Sequence, residues 1–122
     1  MTTLEDYTQA ITLNPNDADA YYKRGFARYM LGHNQGALDD LNKAIKLNPN
    51  DADAYSIRGI VRSEMGDKQG AIDDLNKAIK LNPNDADAYY NRGDVRFEMG
   101  DNQGGTEDYN QASSILGIGG ES

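Results

Sequence analysis

Cysteine is absent from the 122-residue chain, so disulfide bonds, thiol nucleophiles and cysteine-ligated metals are all excluded. Basic residues are also scarce: 12 Lys and Arg stand against 20 Asp and Glu, which gives a formal net charge of −8. Because contacts to phosphate require a basic surface, this balance argues against nucleic-acid binding. It would instead steer basic partners towards the protein.

Long hydrophobic runs are missing as well. No stretch approaches the roughly 18 apolar residues that a membrane-spanning helix requires, so membrane insertion is not expected. The first residues, Met1 to Asp6, lack the basic and apolar regions of a secretory signal peptide. Together with the lack of cysteine, which fits a reducing compartment, these features indicate a cytoplasmic protein.

Proline occurs only three times, at Pro15, Pro49 and Pro83, and both intervals are 34 residues. Each proline lies in the same phrase, Asn-Pro-Asn-Asp-Ala-Asp-Ala-Tyr, and residues 14–47 and 48–81 match at about 24 of 34 positions. A fixed period of this length is typical of supersecondary units that stack into a solenoid.

Each period carries two helical segments, as the unit from Ala52 to Asp85 shows best. The cap candidates Asn50 and Asp51 precede a first helix that should reach about Met65. A second helix is predicted over 68–81, where apolar residues recur at helical spacing. Since no stretch alternates like a strand, we expect an all-α fold.

The repeat resembles the tetratricopeptide repeat (TPR) in its period and in its signature residues. The middle repeat carries the family's aromatic, glycine, alanine, large apolar, alanine and proline positions as Tyr55, Gly59, Ala71, Leu75, Ala78 and Pro83. The resemblance implies a right-handed superhelical solenoid of antiparallel helix pairs, with about seven helices. The third repeat weakens in its second helix, where Gly105 and Tyr109 replace the alanine and the large apolar residue.

The whole chain, 1–122, is expected to form a single TPR domain. Its expected parts are an orphan second helix at 3–13, repeats at 18–51, 52–85 and 86–116, and a flexible tail at 117–122. Glycines in the last helix and in the tail lower helix stability, so we expect the C-terminal end to fray.

The first helix of each repeat has two unlike sides. The side that we call constant holds Tyr55, Arg58, Gly59 and Arg62, and identical residues stand at the equivalent positions of the other repeats. The opposite side, which we call variable, differs from repeat to repeat. We expect the constant side to pack on neighbouring helices and the variable side to have no packing role that all repeats share.

In the TPR family the variable side lines a concave groove that receives an extended peptide or a partner helix. The resemblance therefore implies a partner-binding face made of Asp19, Tyr22, Lys23, Phe26, Tyr29, Met30, Asp53, Ser56, Ile57, Ile60, Ser63, Glu64, Asp87, Tyr90, Asn91, Asp94, Phe97 and Glu98. Chaperone-docking TPR domains clamp acidic tails with basic residues and asparagine. Here only Lys23 and Asn91 stand at such positions, so the acidic and aromatic groove favours a basic or apolar protein segment.

The arginines occur at two positions per repeat, four residues apart, and like charges so placed repel unless they are paired. We expect them to form a ladder of ion pairs with carboxylates that recur on the second helices. An anion-binding stripe and simple solvation are the alternatives. The candidate acceptors are Asp39, Asp40, Asp73, Asp74, Glu107 and Asp108.

Catalytic and metal sites find little support in the sequence. The Asp-x-Asp phrases are interpreted as helix caps, because they lack the glycine and distal glutamate of a calcium-binding EF-hand loop. His33 is the only histidine and lies in a predicted turn without catalytic partners. We therefore expect a non-catalytic scaffold with no cofactor. An enzyme would require an acid-base constellation that the sequence does not show.

A structural alternative is a homo-oligomer that associates through uncapped terminal helices, because solenoids normally need polar caps at both ends. Leu4, Tyr7 and Ile11 would then form an open apolar edge on the orphan helix.

Overall fold

The computed structural model describes residues 3–118, and these form seven α-helices joined by short turns. Within this range there is no β-strand, as expected for an all-α solenoid. The helices are α1 (Leu4–Leu13), α2 (Ala18–Met30), α3 (Asn34–Leu47), α4 (Ala52–Glu64), α5 (Lys68–Leu81), α6 (Ala86–Glu98) and α7 (Asn102–Leu116).

The first helix of every repeat begins at an aspartate cap. The Asp51 side chain accepts a hydrogen bond from the Ala54 backbone N–H at 3.3 Å, and Asp17 and Asp85 cap α2 and α6 in the same way. This confirms that the first aspartate of each Asp-x-Asp phrase is a cap, because it satisfies one of the unpaired N–H groups of the first turn. The cap is Asp51 rather than Asn50.

A glycine in the left-handed region ends each first helix, at Gly32, Gly66 and Gly100. Gly66 has φ 94°, and its N–H donates to the Ser63 carbonyl at 3.0 Å, while the Asp67 N–H donates to the Arg62 carbonyl at 2.8 Å. This Schellman pattern closes the helix and turns the chain back for the second helix.

The core lies between consecutive helices. Each helix packs against the next along the chain, and the first helices also touch one another, α2 against α4 and α4 against α6. Leu41 and Leu75 are fully buried at the centres of two clusters, which Val61 and Val95 of the following repeat complete. Gly59 allows this close packing, since a Cβ there would lie 3.2 Å from the Ala71 carbonyl oxygen.

The glycines of the third repeat do not interrupt its second helix. α7 runs unbroken to Leu116 with Gly104 and Gly105 buried inside it, and Gly117 ends it with φ 73°. A Cβ on Gly105 would come within 2.8 Å of the Phe97 ring, so the glycine makes room for that ring. Of the expected tail, residues 119–122 lie outside the described part of the chain.

Candidate functional site

A ladder of arginine–aspartate contacts holds the first helices in place. Arg58 donates from Nε and Nη2 to the two Asp74 carboxylate oxygens at 2.9 and 2.7 Å, and Arg62 Nη1 donates to the same carboxylate at 3.1 Å. Asp74 is only 3% exposed. The expected ion-pair ladder is therefore confirmed, and each buried carboxylate receives two arginines of its own repeat.

The other repeats reproduce this arrangement with Asp40 and Asp108 as acceptors. The neighbouring acidic residues that the sequence also suggested do not take part. Asp39, Asp73 and Glu107 are exposed and accept hydrogen bonds from Gln35, Gln69 and Gln103 of their own helices.

The same arginines connect successive repeats. Arg58 Nη1 donates to the side-chain oxygen of Asn42 in the preceding second helix at 3.1 Å, while the Arg58 guanidinium carbon lies 5.5 Å from the centre of the Tyr55 ring. The Arg24 and Arg92 side chains make the equivalent contacts. The constant side thus packs between two second helices, and the variable side of the first helices faces away from these contacts.

Two adjacent pockets open on the variable side of α2, α4 and α6. The larger, the Tyr22–Tyr90 pocket, has a volume of about 370 Å³ and is lined by Tyr22, Asp53, Ser56, Ile57, Ile60, Asp85, Asp87, Tyr90 and Asn91. The smaller, the Glu64–Glu98 pocket, has a volume of about 160 Å³ and is lined by Ile60, Ser63, Glu64, Asn91, Asp94, Val95 and Glu98. Because they share Ile60 and Asn91, the two pockets form one groove.

Most of the positions predicted for the partner-binding face line one of these pockets. The predicted positions outside both are Asp19, Lys23, Phe26, Tyr29, Met30 and Phe97. Asp85 and Val95 line the groove without having been predicted. Asp85 was assigned only a capping role, and Val95 has the apolar character of a core residue.

The variable side carries more packing than its sequence divergence indicates. Ser56 and Ser63 are buried, and Ile57 packs against the core cluster around Leu41. We expected the variable side to have no packing role that all repeats share. This expectation is wrong at these positions, because the first helices of successive repeats touch one another. Of the aromatic positions, Phe26 and Tyr90 are clearly exposed.

The carboxylates of the Glu64–Glu98 pocket all have partners. Glu64 accepts a hydrogen bond from the Tyr29 hydroxyl at 2.6 Å, and Asp94 accepts one from the Tyr109 hydroxyl. Glu98 forms an ion pair of 2.8 Å with Lys68. Burial, followed by the hydrogen bond to Glu64, raises the pKa of Tyr29 to about 12, so its hydroxyl remains a donor at neutral pH.

The carboxylates of the Tyr22–Tyr90 pocket are arranged differently. Asp85 is used as the cap of α6, but Asp53 and Asp87 have no ion pair or side-chain hydrogen bond among residues 3–118. Desolvation, followed by the nearby Asp51 and Asp85 charges, raises the pKa of Asp53. Burial and the Asp53 charge raise the pKa of Tyr22 to about 12.

An aromatic cluster surrounds Tyr90 on one side of the Tyr22–Tyr90 pocket. The Tyr109 ring stacks on Tyr90 with centroids 4.5 Å apart and meets Phe97 edge-on at 5.0 Å. On the α2 side of the same pocket, the Phe26 ring lies parallel to the Tyr22 ring, with the ring centres 6.4 Å apart. Carboxylates thus line both pockets, and aromatic rings flank the Tyr22–Tyr90 pocket on two sides.

Paired antiparallel helices that stack with a 34-residue period define the chain as a helical-repeat solenoid. Family models described as tetratricopeptide repeat or TPR repeat match residues 2–58, 63–100 and 86–115. The chain therefore belongs to the tetratricopeptide-repeat family.

Solved structures with similar folds include several of MamA. One crystal structure of MamA has 34% sequence identity and a TM-score of 0.86, covering 92% of this chain and 66% of that chain. A crystal structure of MamA protein has 33% identity and a TM-score of 0.86, covering 93% and 62%. This chain thus spans slightly less than two thirds of either.

A third structure, MamA 41-end from Desulfovibrio magneticus RS-1, has a TM-score of 0.87 at 19% identity, covering 97% of this chain and 67% of that one, and shows the fold alone. No curated protein sequence matches the chain. None of the helices in residues 3–118 combines the length and the apolar character that crossing a membrane requires.

Proposed function

We propose that this protein is a non-catalytic scaffold that binds a segment of a partner protein in the groove lined by α2, α4 and α6. Membership of the TPR family and the solenoid fold support a protein-interaction role. The observation that carries the proposal is the pair of adjacent pockets on this face, joined through Ile60 and Asn91. A continuous groove of this kind suits an extended peptide or one face of a helix.

The chemistry of the groove favours a basic or apolar segment. Carboxylates line both pockets, while Phe26, Met30 and Tyr90 expose apolar surface beside them. The two lysines near the groove are already engaged, Lys23 with Asp19 at 2.8 Å and Lys68 with Glu98 at 2.8 Å. An acidic tail would therefore meet like charge without a clamp to hold it.

The test is to isolate the partner by affinity capture and to map its binding by chemical-shift perturbation. Replacing Tyr90 or Phe26 by Ala should weaken binding by about 2 kcal/mol each, because exposed aromatic anchors are typical hot spots. Lys46→Ala, at an exposed position on a second helix, is the control and should change little. Perturbations confined to α3, α5 and α7 would place the site on the convex side and refute the proposal.

The second candidate function is self-association through the ends of the solenoid. α1 repeats the second-helix pattern, with Tyr7 and Ala10 in the register of Leu75 and Ala78, yet among the described helices it packs only on α2. Leu13 is 82% exposed, whereas its counterpart Leu81 is half-buried.

Light scattering over a range of concentrations tests this candidate. Association through the ends predicts a mass that rises with concentration and falls back to that of a monomer when Leu13 and Leu116 are both replaced by Ser. Leu31→Ser, which changes an exposed leucine at the end of α2, is the control. A monomer mass at every concentration would refute self-association through the ends.

A further inference from the structure

We propose that the Tyr22–Tyr90 pocket is a binding site for the ammonium group of a lysine side chain presented by the partner. This inference rests on the proposed groove function and specifies which part of the groove selects the partner. Its basis is the contrast between two acidic pockets that lie side by side in one groove.

Of the two pockets, only the Tyr22–Tyr90 pocket has carboxylates without an ion pair or a side-chain hydrogen bond among residues 3–118. In the Glu64–Glu98 pocket a tyrosine hydroxyl or Lys68 already occupies each acidic side chain. In the Tyr22–Tyr90 pocket, Asp53 and Asp87 have no such partner within residues 3–118. A cation entering the groove therefore finds carboxylates without a partner among the described residues only in the Tyr22–Tyr90 pocket.

Ser56 is a second and independent indication of a ligand. It is 8% exposed and lines the same pocket, and its hydroxyl oxygen is buried without a hydrogen-bond partner among the described residues. A buried polar atom without a partner costs free energy, so such atoms are uncommon unless a ligand or water satisfies them. The pocket lining therefore contains a hydroxyl oxygen whose hydrogen-bonding capacity the described residues leave unused.

The shape of the pocket fits a lysine side chain. Its volume of about 370 Å³ is at the lower end of the range for ligand sites, which suits one long side chain rather than a whole small molecule. The rings of Tyr22 and Tyr90 and the side chains of Ile57 and Ile60 can cover the methylene stem. An ammonium has three donors, and the pocket lining holds acceptor groups on Asp53, Asp87 and Ser56.

A metal ion fits the pocket less well. Among residues 3–118, no three acidic or histidine side chains lie close enough together to hold one. Tyrosine walls also favour an organic cation, because the face of an aromatic ring attracts a positive charge.

The experiment titrates the protein with a blocked pentapeptide, acetyl-Gly-Leu-Lys-Leu-Gly-amide, and follows the backbone amides by NMR. The matched probe is the same peptide with acetyl-lysine at its centre, which keeps the stem and removes the charge. We expect shifts at Asp53, Ser56 and Asp87 with the lysine peptide, and about tenfold weaker binding of the acetylated peptide.

A pair of double variants provides the control in the protein. Asp53→Asn with Asp87→Asn should weaken binding of the lysine peptide about tenfold, because it removes the two charged carboxylates that have no other partner. Asp39→Asn with Asp73→Asn makes the same change in net charge on the convex helices and should alter affinity less than twofold. Circular dichroism verifies that each variant keeps its helical content.

The outcomes separate this inference from the proposed function. If both peptides shift Ile60 and Asn91 equally and D53N/D87N binds as tightly as the original chain, the groove binds peptides but the lysine site is refuted. If the shifts lie only on α3 and α5, both the groove and the lysine site are refuted. Loss of binding in D39N/D73N equal to that in D53N/D87N would show attraction by net charge alone and would also overturn the inference.

Discussion

Replacement of Asp74 by Ala should destabilise the protein far more than the loss of any surface ion pair. The Asp74 carboxylate is 3% exposed and accepts three hydrogen bonds at 2.7 to 3.1 Å from Arg58 and Arg62. The variant would leave two partly buried guanidinium groups beside an empty space. The side chains of Arg58 and Arg62 are only 15% and 28% exposed, so water can solvate them only in part.

The magnitude follows from this burial. Removing one partner of a buried ion pair typically costs about 3–5 kcal/mol, because the remaining charge is left uncompensated. An exposed pair contributes at most about 1 kcal/mol. Asp73 is the matched control: it is the preceding residue of α5, is exposed, and accepts only a hydrogen bond from Gln69. Asp73→Ala should stay within about 0.5 kcal/mol of the original chain.

Urea denaturation followed by circular dichroism at 222 nm measures both variants. Since stacked repeats can unfold in parts, the transition should also be followed by tyrosine fluorescence, and the two midpoints compared. A free energy of unfolding for Asp74→Ala within about 1 kcal/mol of that for Asp73→Ala would refute the structural role of the ladder.

The remaining predictions concern packing, pH and local stability. Gly59→Ala should destabilise the protein despite a gain of about 1 kcal/mol in helix propensity, because its Cβ would lie 3.2 Å from the Ala71 carbonyl oxygen; a higher melting temperature would contradict this. Asp53→Asn should raise the melting temperature slightly at pH 7 and leave it unchanged at about pH 3. The raised pKa of Asp53 means that its ionisation costs stability as pH rises through that pKa, so equal melting temperatures at pH 7 would count against the desolvation of Asp53. Hydrogen exchange should be fastest in residues 4–13 and 102–116, because terminal helices have fewer neighbours; stronger protection in α1 than in α4 would indicate that another chain covers α1.

Much of the fold could be predicted because the 34-residue period places the same local signals in every repeat. The second helix of the middle repeat was predicted over 68–81, and α5 has these bounds. The aspartate caps and the glycine turns depend only on neighbouring residues, so the same local sequence forms them in every repeat. The helical pattern could also have predicted that Asp74, rather than Asp73, accepts the arginine hydrogen bonds. Asp74 lies beside the apolar stripe of Leu75 and Ala78, whereas Asp73 points away from it.

The pairing of charges in the groove could not be predicted from the pattern of one repeat. The Tyr29 hydroxyl donates a hydrogen bond to Glu64, and the Ser63 hydroxyl lies 3.5 Å from the Glu98 carboxylate. In both pairs the two residues are 35 positions apart, one more than the repeat period of 34. This offset depends on how successive first helices sit against one another, which the packing of whole repeats determines. For the same reason Lys68 was not identified as the partner of Glu98, although it neutralises one end of the groove.

The third repeat shows that its departures from the pattern compensate one another. Gly105 replaces the small alanine of the other repeats and leaves room for the Phe97 ring, while Tyr109 replaces a leucine and packs edge-on against that ring. The Tyr109 hydroxyl would be costly to bury alone, but it donates to Asp94, which stands where the middle repeat has Ile60. Each change thus removes a packing or hydrogen-bonding problem that another creates. Considered one residue at a time, these departures indicate a degenerate repeat; considered together, they form the aromatic cluster around Tyr90.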